Sequence, residues 1–457
     1  MKHAETIIGL IEKRSYTALR AHAASLPAAD LAEAIEETPT KSAVLFFRLL
    51  AKSTAAEVFS YLSQESQRRL IEAFSDKELR AVIGELFVDD CADLVEEMPA
   101  SVVQRILSAA DPDTRRAVNE ILRYPKDSAG TVMTTEYVLL KEDMTVAESF
   151  QKIRREAIDK ETIYTSYVTD KNRRLLGTVS AKELLLASPD AVIRDVYRPH
   201  ALSVETGDDR ESVAQMFDRY DLLALPVVDK EKRLVGIITV DDAIDVLHAE
   251  AEEDFHKMAA MTPSDTPYLR TSVLRIFLSR IPWLCLLLLS ATFTGAVIAS
   301  FENALAACVV LTAFIPMLMD TGGNSGSQAS VTVIRGLSLG EIRPRDAFRV
   351  LLKELRVSLL CGASLAVVAF LKVLLIDHLL IGSVTELPFE IAFTVSATLL
   401  LTVVAAKVIG CLLPILAKRI GFDPAVMASP FITTIVDAVA LIVYFRIASV
   451  ALLPLLS

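Results

Sequence analysis

The sequence predicts a multidomain membrane protein. An all-α superhelical N-domain, an α/β tandem repeat and an acidic connecting helix precede an α-helical membrane domain of five spans. Three observations predict it. Residues 1–270 carry 34 Lys and Arg against 48 Asp and Glu, whereas residues 271–457 carry 13 against 10, so an acidic half precedes an apolar one. The apolar fraction of 52% and the mean hydropathy of +0.42 are high for a soluble chain. A β-α-β-β-α pattern occurs twice between residues 126 and 248.

The elements follow in chain order. Residues 1–125 form the helical N-domain: apolar residues recur at helical spacing in Val58-Phe59, Leu62, Leu70-Ile71 and Phe74. Short helices are expected at Ala81–Phe87, Cys91–Met98, Val102–Ala110 and Thr114–Leu122, and Ser75-Asp-Lys-Glu78 fits a capping box. Their succession suggests stacked helix pairs. Met1–Leu10 lacks the apolar core of a signal peptide, which places the acidic half in the cytoplasm. An acidic surface repels nucleic acid and attracts cations, so no nucleic-acid partner is expected. The five cysteines include no CxxC pair, against a thiolate metal site or a disulfide framework.

Residues 126–240 hold the repeat. The first copy runs from Tyr137-Val-Leu-Leu through a helix near Thr145–Arg155 and the strand Thr165–Asp170 to Leu175–Leu184. The second runs from Ala201-Leu-Ser-Val through Arg210–Tyr220 and Ala224–Asp229 to Leu234–Ala243. Order and spacing resemble a tandem pair of cystathionine-β-synthase-type (CBS) domains. Such pairs bind adenosine nucleotides through Gly-h-h-Thr-x-x-Asp, which the second copy keeps as Gly236, Thr239 and Asp242. The first copy has the weaker Gly177, Ser180 and Glu183. Either these residues hold ATP or a similar nucleotide, or they only cap a strand-to-helix turn.

Residues 241–270 are the acidic connecting helix and linker. Asp241, Asp242, Asp245, Glu250, Glu252, Glu253 and Asp254 fall within fourteen residues, and Asp89, Asp90, Asp93, Glu96 and Glu97 form a second cluster. Like charges three or four apart on a helix repel. Such runs are solvated faces or cation sites, and the position directly before a membrane domain favours a regulatory cation site.

In residues 271–457, five apolar runs approach the length needed to span a bilayer: Ile281–Phe301, Asn303–Met319, Val357–Leu371, Ile391–Ala417 and Ala425–Leu456. Arg270, Arg275 and Arg280, then Arg335–Lys353, then Lys418 and Arg419 mark alternate loops. That pattern puts the N-terminus inside and the C-terminus outside. Asp437 sits near the middle of the last run. A charged Asp there costs about 2.5–3.5 kcal/mol on insertion scales. It either lines a pore, with Thr433 and Thr434 one turn earlier, or pairs with Lys407 or Arg446. Thr321-Gly-Gly-Asn-Ser-Gly-Ser-Gln328, expected at the cytoplasmic end of the second span, puts Asn324 and Gln328 on one face if helical. Those side chains offer oxygen to a hard cation, or the glycines serve a loop or a helix contact.

The parts in this order resemble the MgtE family of magnesium channels over nearly the whole chain. Tyr124-Pro-Lys-Asp-Ser-Ala-Gly130, Gly322–Gln328 and Asp423-Pro-Ala through Asp437 carry the resemblance. It implies a homodimer with its pore at the subunit interface, lined by spans two and five. The pore carboxylate falls on Asp437, neighbouring carbonyl positions on Thr433 and Ala440, and a pore-mouth carboxylate on Asp423. Sensing carboxylates fall on Asp89, Asp93, Asp242, Asp245, Glu250, Glu253 and Asp254. Ala440 stands where the family has Gly, and Ser429 where it has Asn. The implied function is not enzymatic. It is Mg²⁺ transport across a cell membrane, shut off by cytoplasmic Mg²⁺, with Mn²⁺ and Co²⁺ as further cargo and lipid as surroundings. A carrier using Asp437 for protons and a nucleotide-sensing signalling protein are the rivals. No Gly-rich phosphate loop or HExxH motif supports catalysis.

Overall fold

The computed structural model describes residues 2–157, 160–263, 268–269, 271–302, 306, 308–384, 387–427 and 429–452. Arg270, Asn303 and residues 453–456 of the expected last span lie outside them. The chain divides into two units, residues 1–247 and 248–457.

In the first unit, ten short helices come first: α1 (Lys2–Glu12), α2 (Tyr16–Ala23), α3 (Ala28–Glu37), α4 (Thr40–Phe47), α5 (Lys52–Ser60), α6 (Gln64–Ala73), α7 (Asp76–Ile83), α8 (Val88–Glu97), α9 (Ala100–Ala109) and α10 (Pro112–Ile121). The expected helix Ala81–Phe87 is corrected to α7. It starts earlier because Ser75 and Glu78 cap each other's backbone, and it stops at Gly84. Helices pack two places apart, α1 on α3, α3 on α5, α5 on α7, α7 on α9 and α8 on α10, which builds a stack. Phe46, Phe59, Ile71, Leu79 and Ile83 are almost wholly buried in its core. Each contributes about 1.5–3 kcal/mol of hydrophobic burial.

The repeat follows as β1 (Leu139–Lys141), α11 (Val146–Glu156), β2 (Thr165–Thr169), β3 (Leu175–Ser180), α12 (Ala181–Leu186), β4 (Arg198–Pro199), β5 (Val204–Glu205), α13 (Arg210–Tyr220), β6 (Ala224–Val228), β7 (Leu234–Thr239) and α14 (Val240–Met258). The two copies match in detail. β1 runs parallel to β2 and β5 to β6, while β2–β3 and β6–β7 are antiparallel. The hairpins carry register shifts at matching places, Val168/Thr169 and Val227/Val228. At the tips, Asp170 Oδ1 accepts from the backbone N–H of Asn172 and Arg174, and Asp229 Oδ1 from that of Glu231 and Arg233. The sequence repeat is therefore a structural repeat.

The second unit contains α15 (Val273–Ser300), α16 (Ile315–Ser338), α17 (Ala347–Lys372), α18 (Pro388–Arg419) and α19 (Ser429–Ala451). Four stretches are long and apolar enough to cross a membrane: Val273–Ser300, Pro344–Leu380, Pro388–Arg419 and Pro424–Ala451. The expected second span Asn303–Met319 is corrected. The helix there is α16, preceded by a 3₁₀ segment at Val309–Phe314, and Thr321–Gln328 lies in its middle and not at its end. An apolar-run search misses α16 because glycine and serine make its contacts. It packs on α18 and α19. A Cβ on Gly410 would lie 2.3 Å from the carbonyl oxygen of Gly326, so α16 and α18 touch backbone to backbone.

Candidate functional site

Helices α16 and α19 each carry a set of polar groups in the membrane unit. On α16, Gly322, Gly323, Ser325, Gly326, Ala329 and Ser330 are buried. Asp320, Asn324, Gln328 and Thr332, four residues apart, are exposed on another face of the single chain. Four-residue spacing keeps side chains on one slowly turning stripe. The helical reading of Asn324 and Gln328 is thus the structural one. On α19, Asp437 is half-exposed, as are Thr433 and Thr434 one turn earlier, whose hydroxyls donate to Pro430 O at 2.9 and 3.1 Å. Ala440 is fully buried, and its methyl faces Gly322 in the α16–α19 contact.

The alternative ion pairing of Asp437 does not form. Lys407 is buried and its Nζ lies 3.9 Å from Glu354 Oε2, which joins α18 to α17. Arg446 is exposed. Among the described residues no cation pairs with Asp437. Asp320 and Asp437 lie within electrostatic reach of each other.

At the end of α14 a second constellation forms. Lys257 Nζ lies 2.6 Å from Asp423 Oδ2 and also pairs with Glu253. Asp423 Oδ1 accepts from Ala425 N at 2.8 Å, which holds the carboxylate over the turn before α19. Ser338 Oγ donates to Asp254 Oδ2 at 2.9 Å. Burial raises the Asp254 pKa, and the Asp423 charge adds to that. Burial works against the Lys257 ammonium, yet its bonds to Asp423 and Glu253 more than offset this and raise its pKa. Glu250 is half-exposed on the same helix. The expected sensing carboxylate Glu253 and the expected pore-mouth carboxylate Asp423 therefore share a native ammonium.

In the soluble unit, Asp89, Glu136 and Glu161 each bring a carboxylate oxygen within 4.8 Å of the others. The start of α8 positions Asp89, which is 8% exposed. Glu136 Oε2 is held by Val88 N at 3.2 Å and by the Thr134 hydroxyl at 3.3 Å. Glu161 Oε2 is buried without a hydrogen-bond donor among the described residues. Burial, then the charges of Asp242, Asp241, Asp90 and Glu136, push Glu161 up to about 8. Burial and then Asp242 hold Asp89 well above the usual carboxylate range. Burial and then Asp241 and Asp245 push Asp90 up to about 6. Burial pushes Asp242 to about 7, against the pull of its Thr239 bonds and with the push of Asp241. Asp93, Asp241 and Asp245 are exposed.

Crowded oxygen donors with raised pKa values suit a hard divalent cation, whose charge would offset their repulsion. Sequence reasoning found Asp89, Asp242 and Asp245 and missed Glu136 and Glu161, which are isolated acids in loops. It also missed Asp320, although Asn324 lies one helical step of four away, and Lys257, although it follows Glu253 by four.

The nucleotide-type motif is engaged in caps. Thr239 Oγ1 and N both bond Asp242 Oδ2, and Ser180 and Glu183 form a full capping box with Arg198 on the Glu183 carboxylate.

Comparison with known proteins fits these parts. A family model described as a divalent cation transporter, MgtE, matches residues 315–447. The MgtE intracellular N domain matches 26–127, and CBS domains match 129–190 and 193–249. The magnesium transporter MgtE of Thermus thermophilus is 38% identical, over 93% of this chain and 92% of its own. The Bacillus subtilis transporter of that name is 32% identical, over 92% and 91%. Among solved structures, the cytosolic domain of the Mg²⁺ channel MgtE in complex with ATP is 39% identical and covers 53% of this chain and 99% of its own, with a TM-score of 0.51. The soluble part of a magnesium transporter is 27% identical and covers 55% and 98%, with a TM-score of 0.52.

Proposed function

The chain belongs to the MgtE family, a family of transporters and not of enzymes, and from that premise we propose that it carries Mg²⁺ across a membrane. The path is lined by α16 and α19, and cytoplasmic Mg²⁺ on the acidic clusters closes it. The observation that carries the reading is the stripe of Asn324 and Gln328 beside an Asp437 with no cation partner among the described residues, on helices of a unit rich in apolar stretches. Polar groups at membrane depth face a cavity or a partner. We assign five spans, a cytoplasmic N-terminus and an outer C-terminus, and a homodimer whose subunits each present this stripe to a shared axis.

Mg²⁺ keeps its water reluctantly shed and its geometry octahedral. Carboxylate from Asp437, amide oxygen from Asn324 and Gln328 and carbonyls near Thr433 and Ala440 would contact the hydrated ion and spare it full dehydration. Mn²⁺ and Co²⁺, of similar charge, are expected to compete. Closure follows from differential binding: an ion that favours one arrangement shifts the population toward it. Asp89, Glu136, Glu161, Asp93, Asp242 and Asp245 would hold it in the soluble unit, and Glu250, Glu253, Asp254 and Asp423 at the pore mouth. The ATP complex of a relative's cytosolic domain supports an adenosine nucleotide as a second ligand, held at Thr239 and Asp242. The test is Mg²⁺ uptake by vesicles holding the full chain and an entrapped Mg²⁺ indicator. Uptake above protein-free vesicles is expected, and its absence with correctly assembled protein would sink the reading.

A further inference from the structure

We propose that Asp320 is a second carboxylate of the cation path, placed to set the concentration at which divalent cations reach Asp437. The inference rests on the transport reading above and adds a residue to it.

Three observations carry it. First, Asp320 heads the stripe that continues through Asn324, Gln328 and Thr332, all exposed in the single chain, while the glycine and serine face of α16 is buried against α18 and α19. An acid on a lipid-facing side is costly, so this side of the helix meets water, ions or a partner. Second, among the described residues no ammonium or guanidinium pairs with Asp320, and the packing of Gly322 against Val436 and Ala440 brings this part of α16 beside the Asp437 part of α19. Two like charges within reach and without a counter-ion call for a mobile cation between or near them.

Third, the packing orders the two acids along the path. A Cβ on Gly322 would meet Val436 and Ala440, and one on Gly326 would meet Ile432 and Val436. Hence α16 and α19 run antiparallel, and Asp320, before Gly322, lies toward the C-terminal end of α19. In the orientation proposed above that end is outside, so an incoming ion passes Asp320 on its way to Asp437. A charged ring at a pore mouth raises the local concentration of the counter-ion, an effect that falls with ionic strength. Between its outer end and Asp437 the path otherwise has no acid of α16 or α19, and Asp320 supplies one.

The test uses the full chain in vesicles, with Mg²⁺ influx measured against external Mg²⁺ at low ionic strength. Asp320→Asn should raise the half-saturating Mg²⁺ concentration about tenfold, Asp320→Glu should restore it, and added monovalent salt should shrink the difference. Asp437→Ala is the control for the parent reading, with no influx expected at any concentration. If Asp437→Ala is inactive while Asp320→Asn keeps the wild-type half-saturation, the Asp320 assignment falls and the path stands. If Asp437→Ala transports normally, the path itself falls. Should Asp320→Asn fail to assemble, Asp320→Cys treated with anionic or cationic thiol reagents replaces it, with treated wild-type protein correcting for the native cysteines. The anionic adduct should give the lower half-saturation, and equal values for the two adducts would overturn the proposal.

Discussion

The acids of the two units are arranged in opposite ways. In the membrane unit, Asp437 stands one turn from two threonines and beside a helix whose polar groups are spread four residues apart. In the soluble unit, Asp89, Glu136 and Glu161 crowd within 4.8 Å, with Asp90 and Asp242 pressing on them. Spread carboxylates bind a hydrated ion weakly enough to release it, which conduction requires. Convergent carboxylates repel until an ion arrives, which makes their geometry depend on that ion. On the proposed reading, the same type of side chain serves passage in one place and sensing in the other, and spacing decides which.

The largest break of this comparison comes from the spread set. Asp437→Ala should bring Mg²⁺ flux to the background of protein-free vesicles, with assembly unchanged on size-exclusion chromatography. Normal flux would remove the distinction between the regions.

A smaller effect tests the crowded set. Carboxyls held at about 6 to 8 keep protons that an unfolded chain releases near pH 4. Raised folded-state values therefore favour the fold at low pH, and that advantage is lost as pH rises from about 4 through about 8. In chelator, the soluble unit's melting temperature should fall by several degrees, on the order of 2–8 °C, between pH 5.5 and 8.5. Millimolar Mg²⁺ should restore most of it at pH 8.5 and little at pH 5.5. A flat pH profile in chelator, read by scanning calorimetry, would mean the acids are not coupled as the geometry has them.

The smallest effect concerns Lys257, which lies between the two types. Its pairs with Asp423 and Glu253 are half-exposed and so worth about 1 kcal/mol or less each. Lys257→Met should expose α14 to protease a few-fold faster in chelator, with Mg²⁺ slowing cleavage again. Equal rates for variant and wild type would show that the ammonium contributes nothing there.

Much of this was legible in the sequence. The repeat could be read because strand order, hairpin residues and caps recur at fixed spacing: Asp170 and Asp229 close matching turns. Asp437 stood out as a candidate because a lone acid in an apolar run has few roles. The α16 boundary could not, since a helix buried by glycine and serine does not look apolar, and the misplaced end left Asp320 out. Glu136 and Glu161 were illegible for a different reason. Only the folding of distant loops onto α8 brings them to Asp89. The role of Thr239 and Asp242 as cap partners was one of two readings open at the sequence level, and the hydrogen bonds establish the cap.

The claim that crowding makes a sensor while spacing makes a path is tested most directly by one flux measurement. Mg²⁺ influx would be recorded into vesicles loaded with increasing Mg²⁺ on the side of the soluble unit, for wild type and for Asp89→Asn/Glu161→Gln. The double variant should need at least several-fold more Mg²⁺ for half-inhibition, with uninhibited flux like that of the wild type. Superimposable inhibition curves, with both proteins fully assembled, would contradict the account.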